Sequence, residues 1–150
     1  MSRRAAPERW TAISMVLVSI CGCGAKVPFD LVPVHGKLTY EDGSLVPADS
    51  ILLTFNPIKT EAKAKTAPPG GTTNVNVQDG TFATVSTHRK DDGLVVGRHK
   101  VVVVSFRKGP DGMPAPTAAV PAVYRKEAST PLEVDVQSSG QFLELKVRKK

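Results

Sequence analysis

Cysteine is almost missing from this chain. There are two in 150 residues, Cys21 and Cys23. Everything after Cys23 lacks a thiol, so the body of the chain can form neither a disulfide framework nor a cysteine-ligated centre. Residues 24–34 add no Cys or His to the Cys-x-Cys pair, which leaves a metal or redox site there without ligands. Long apolar runs are also missing. The stretch from Trp10 to Ile20 is about eleven residues, against about 20 for a membrane-spanning helix. Helical periodicity is scarce. Glu61–Lys65 has the composition for one turn, and Pro68-Pro69-Gly70-Gly71 ends it. Strong charge of one sign is absent too. No nucleic-acid recognition motif accompanies the basic residues, so nucleic acid is not an expected partner.

What the first two dozen residues do contain is ordered. Arg3, Arg4 and Arg9 precede the apolar run, which ends in Ile20-Cys21-Gly22-Cys23-Gly24. A basic n-region, a short apolar h-region and a small-residue cut site make a secretory signal. With cysteine at the cut it resembles a bacterial lipoprotein signal. The resemblance implies cleavage after residue 22, a lipid (palmitate-type) modification of Cys23 and a mature chain anchored in the membrane. Cutting before Cys23 leaves Gly22 at the last position. Cutting before Cys21 would leave bulky Ile20 there, so Cys23 is the expected lipidated residue and Cys21 the alternative. An uncleaved N-terminal anchor is the other alternative. In both cases the arginines hold the N-terminus inside and residues 26–150 lie outside. The pair Arg3-Arg4 lacks the apolar residues a twin-arginine signal carries behind it. By the same resemblance Gly24, which is not the retaining Asp, favours the outer membrane, facing periplasm or surface.

The expected organisation is 1–22 signal, 23–33 tether and 34–150 one domain. Three of the 20 basic and one of the 14 acidic residues fall in the signal, leaving 17 against 13. The one basic cluster is Lys146, Arg148, Lys149 and Lys150. It reads as a solvated end or as a contact for anionic lipid or polymer.

From Val34 onward the pattern is period two. Val34, Gly36, Leu38 and Tyr40 alternate with His35, Lys37, Thr39 and Glu41. The same alternation covers Ile51–Asn56, Thr72–Val77, Leu132–Val136 and Leu143–Val147, Asp79-Gly80 turns into a further strand at Thr81–Ser86, and Arg98–Phe106 reads as a central strand with Val101–Val104 apolar on both faces. Asp42-Gly43 and Asp79-Gly80 are turn signals, the first a hairpin signal. About seven short strands predict an all-β sandwich. Pro57–Gly71, Thr87–Gly97 and Gly109–Pro121 are the long loops, where binding usually resides.

The segment Val34-x-Gly36-Lys-Leu38-Thr-Tyr40-x-x-Gly43, followed by Val46-Pro47, resembles the opening of carboxypeptidase regulatory-like domains. Asp79-Gly80-Thr-Phe82, Gly97-Arg-His99-Lys-Val101-x-Val103 and Val120-Pro121-Ala-x-Tyr124 with Thr130-Pro131-Leu132 resemble later motifs of small bacterial lipoproteins built on that domain. The resemblance spans residues 34–147. It implies a Greek-key, transthyretin-like β-sandwich that serves as an accessory, not a catalyst.

Chemistry is sparse. By alternation His35 faces outward, His99 packs at the core edge, and His88 sits beside Arg89 and Lys90. They are not expected to converge on a metal. Asp91-Asp92-Gly93 reads as a turn. No nucleophile elbow is present. The chain ends Val147-Arg-Lys-Lys150, whereas transthyretin-like hydroxyisourate hydrolases end Tyr-Arg-Gly-Ser. The expectation is a non-catalytic, lipid-anchored envelope protein without metal or cofactor, whose partners are the membrane and an envelope protein or polymer. The alternative is a small-ligand-binding oligomer of transthyretin type, with Leu52, Val102, Val104 and Phe142 as its outward apolar surface.

Overall fold

A computed structural model describes residues 29–58 and 67–149. The expected signal, Cys21, Cys23 and the Glu61–Lys65 turn lie outside the described residues.

Among the described residues the chain is all-β, with one 3-10 turn at Ala122–Arg125. Alternation explains why. Val34, Leu38 and Tyr40 are buried in β2 (Val34–Tyr40), while His35 is exposed. Ile51, Leu53 and Phe55 are buried in β3 (Ser50–Pro57). Side chains two apart share a face, so each strand has one side to bury. Seven strands answer to the seven expected. They are β2, β3, β4 (Gly71–Val75), β5 (Thr81–Phe82), β7 (Gly97–Lys108), β9 (Glu133–Val136) and β10 (Gln141–Val147).

Three short strands bring the number among the described residues to ten. They are β1 (Leu31–Val32), β6 (Leu94–Val95) and β8 (Pro114–Pro116). All three lie where the sequence shows a tether or a loop. Two or three residues are too few to display a period, so partners rather than pattern make them strands.

The strands form a sandwich. One sheet runs β5-β2-β10 and the other β4-β3-β7, with β8 and β9 pairing different halves of β7. A small β1-β6 ribbon stands apart. β2 and β10 are parallel in full register, from Val34 opposite Gln141 to Tyr40 opposite Val147. The chain therefore enters this sheet at one end and leaves it at the other, about 20 Å away. Both sheets close on one core, where the Phe55 and Phe82 rings meet with centroids 6.0 Å apart. Each such buried side chain contributes about 1.5–3 kcal/mol.

Three local expectations change. Asp42-Gly43 makes a turn, with the Gly43 N–H donating to the Tyr40 carbonyl at 2.9 Å, but β2 and β3 belong to different sheets and form no hairpin. Thr81–Ser86 is a strand only at Thr81–Phe82, and Ser86 bridges Thr72. His99 is wholly buried rather than at the core edge. Gly97 has φ +125° with open space where a Cβ would lie, so it is required by conformation and not by close approach. Gly36 is the close-approach glycine. A Cβ there would collide with the Leu143 carbonyl and the Phe82 ring.

Candidate functional site

Cys23, the residue expected to carry lipid, lies outside the described residues. The chain that follows it is fixed from Asp30 onward. The Asp30 carbonyl accepts from the Val96 N–H at 3.2 Å, and Leu31 and Val32 pair with Val95 and Leu94. The Pro33 carbonyl accepts from the Gly140 N–H at 2.7 Å. Gly93 lies so close to Val32 that a Cβ would strike its carbonyl. Residues 31–33, read as the end of a tether, are thus docked on the domain.

The three histidines lie in three different settings. His35 is exposed on β2, edge-on to Phe142 with centroids 5.5 Å apart. His88 is exposed in the loop after Ser86. His99 is buried, and its Nδ1 donates to the Gly97 carbonyl at 2.9 Å, because a carbonyl can only accept. This leaves Nε2 unprotonated, buried and without a partner among the described residues. Burial pushes the imidazole below its ordinary value, against the Gly97 hydrogen bond and the Asp135 charge. Among the described residues no group of three or more His, Cys, Asp or Glu converges.

The outer face of the β5-β2-β10 sheet is a ladder of charge. Lys37 stands opposite Glu144 and Thr39 opposite Lys146. Lys146 pairs with Glu144 at 3.0 Å, Arg148 with Glu41 at 3.2 Å, and Lys149 with Asp42. Lys149 also lies over the Tyr40 ring, 5.2 Å from its centroid. Hydrogen bonds from Lys149, then from the Ser44 hydroxyl and N–H, hold the Asp42 carboxyl well below the usual range. Lys37, Thr39, Glu41, Asp42, Phe142, Glu144 and Lys146 border a shallow groove of about 410 Å³. Three members of the C-terminal basic cluster are therefore matched by carboxylates. Nothing in sequence could announce the Arg148–Glu41 and Lys149–Asp42 pairs, each 107 residues apart.

The other sheet turns Leu52, Val102 and Val104 outward, half-buried, with Leu52 opposite Val104. Leu52 borders a depression of about 330 Å³ shared with Thr72, Asn74, Thr84 and Lys90. It therefore lies partly beneath the 84–91 segment. Phe142, the fourth outward apolar residue, belongs to the opposite sheet and is 55% exposed. A second open groove, about 590 Å³, lies between Pro57, Ile58 and Lys100 on one side and Lys126, Glu127 and Ala128 on the other.

The Thr87–Gly97 loop is organised from within. The Asp92 carboxylate accepts the N–H groups of Thr87, His88 and Arg89 at 2.6–2.9 Å. Burial pushes this carboxyl up, and the three N–H donors outweigh it and hold it low. Asp91 has φ +62° and accepts the Thr84 hydroxyl. The Asp91-Asp92-Gly93 stretch is a turn, as its composition indicates.

Compared with protein-family models, curated proteins and solved structures, the chain matches none of them.

Proposed function

We propose that this chain is an exported lipoprotein, anchored through Cys23, whose β-sandwich makes non-catalytic contacts with an envelope protein or polymer. The observation that carries the reading is spatial. An ordered domain begins at Asp30, seven residues behind a cysteine that closes a secretory signal. The carboxypeptidase regulatory-like resemblance rests on the quoted motifs. It gains support from Gly80, at φ +79° in its turn, and from Phe82, which drops into the core as that motif requires. The matched charges of Lys146, Arg148 and Lys149 favour a specific partner over general adhesion to a polyanion.

Metabolic labelling with radioactive palmitate in a bacterial host tests the anchor. The wild type and Cys21→Ser become labelled and sediment with membranes, while Cys23→Ser does neither. Label retained in Cys23→Ser contradicts the reading.

The half-buried stripe of Leu52, Val102 and Val104 supports a second reading, a ligand-binding oligomer of transthyretin type. Light scattering of the soluble domain separates them, since a monomer removes the oligomer.

A further inference from the structure

We infer that the rim of the sandwich where β1 docks is a lipid-contacting surface, and that the domain stands on the bilayer with β2 and β10 directed away from it. This rests on the lipid anchor proposed above and adds an orientation and a contact surface.

Chain length limits the geometry. Seven residue steps separate Cys23 from Asp30 and reach at most about 25 Å when fully extended. Asp30 itself is held by Val96, the residue that precedes β7. From Gly97, β7 runs 12 residues to Lys108, about 40 Å. The tether is shorter than that height. It cannot invert the domain, and the end holding Val34, Gly97 and Gln141 stays beside the headgroups.

The surface at that end suits such a place. Val96 is 45% exposed, although it is a large apolar residue. Phe29 and Ile58 are half-buried, and Ile58 is fixed over the start of β7 by its N–H bond to the Arg98 carbonyl at 2.8 Å. Residues 137–140 add no charge. Asp30, Arg98 and Asp135 are exposed there, with Arg98 paired to Glu133, while the far end sets Arg107, Lys108, Arg148 and Lys149 beside Glu41, Asp42, Asp49 and Asp111, so charge does not tell the two ends apart. The short tether, and not charge, holds this end at the interface, where its apolar side chains can enter.

The test uses the full lipidated protein reconstituted into vesicles of phosphatidylethanolamine and phosphatidylglycerol. With Cys23 acylated the mature chain has no other thiol, so Val96→Cys and Met113→Cys each take one fluorophore. Met113 is 66% exposed at the far end, so both variants change only surface positions. A quencher attached to lipid headgroups should quench the Val96→Cys label several-fold more than the Met113→Cys label. Equal quenching, or stronger quenching at Met113→Cys, overturns the orientation while the anchor stands. Protein that fails to float with the vesicles overturns both.

Discussion

The outer face of the β5-β2-β10 sheet and that of the five-stranded sheet are built by the same alternation, yet they meet the surroundings differently. The first shows His35, Lys37, Glu144 and Lys146, with Lys146 paired to Glu144 along β10. The second shows Leu52, Val102 and Val104, all half-buried, with Leu52 partly beneath the 84–91 segment. A face crossed by matched charges is already satisfied in water. β10, which forms one edge of its sheet, also carries Glu144 and Lys146 outward, a common guard against edge-to-edge pairing. The faces thus differ in character, one charged and the other apolar and half-buried.

Beneath this difference lies a shared core, and breaking it has the largest effect. Phe55→Ala and Phe82→Ala remove one side each of the ring pair that joins the sheets. Each should cost about 3–5 kcal/mol in urea denaturation. Because the rings touch, the double variant should cost less than the two single costs added together, by about 0.5–3 kcal/mol. Strict additivity would mean that the sheets do not share a core at this point.

The next effect separates two glycines, one in each sheet. Gly36→Val forces a side chain into the Leu143 backbone and the Phe82 ring. It should cost about 3 kcal/mol or more, at the upper end of overpacking. Gly97→Ala meets no atom and is penalised by φ +125° alone, for about 1–3 kcal/mol. If Gly97→Ala proves the costlier, steric closeness is not what fixes β2 against β10.

A third effect depends on pH. The folded state keeps His99 neutral and lowers its pKa below the ordinary 6.5. The unfolded chain then binds more protons, so stability is full above about 6.5 and falls as pH drops below it. Asp42, Asp79 and Asp92 are also held low, and their contribution disappears only below about 4, where the unfolded carboxylates protonate. Chemical denaturation of wild type and His99→Leu from pH 8 to 5 checks the sign. The variant should lose the slope between pH 7 and 5. An unchanged slope would assign it to other groups.

The smallest effects return to the outer faces. Leu52→Thr or Val104→Thr should cost about 0.5–1 kcal/mol through lost half-buried area. Lys146→Thr or Glu144→Thr should stay within about 0.5 kcal/mol, as exposed pairs do. Equal costs would remove the contrast between the faces.

Strand identity was legible because alternation marks which side a strand buries. Leu38, Phe55, Val103 and Leu145 are all core residues, as their spacing indicates. Partnership was not legible. Asp42-Gly43 has hairpin chemistry, but Val46 goes into the core and the chain crosses to the other sheet. The docking of Leu31–Val32 depends on Leu94–Val95, some 60 residues on, and no local feature encodes it. The charge ladder was hidden for the same reason. It follows from β2 and β10 being neighbours, which only the closed fold decides. His99 was placed on the correct face, and the depth of its burial came from β9 pairing over the start of β7.

The central claim is that the mature chain begins at an acylated Cys23 and carries a sandwich that starts seven residues later. Intact-mass and N-terminal peptide mass spectrometry of the protein from bacterial membranes tests it most directly. The account predicts a chain lacking residues 1–22, with fatty acyl mass on Cys23. An unmodified Cys23 in a chain still beginning at Met1 would contradict it.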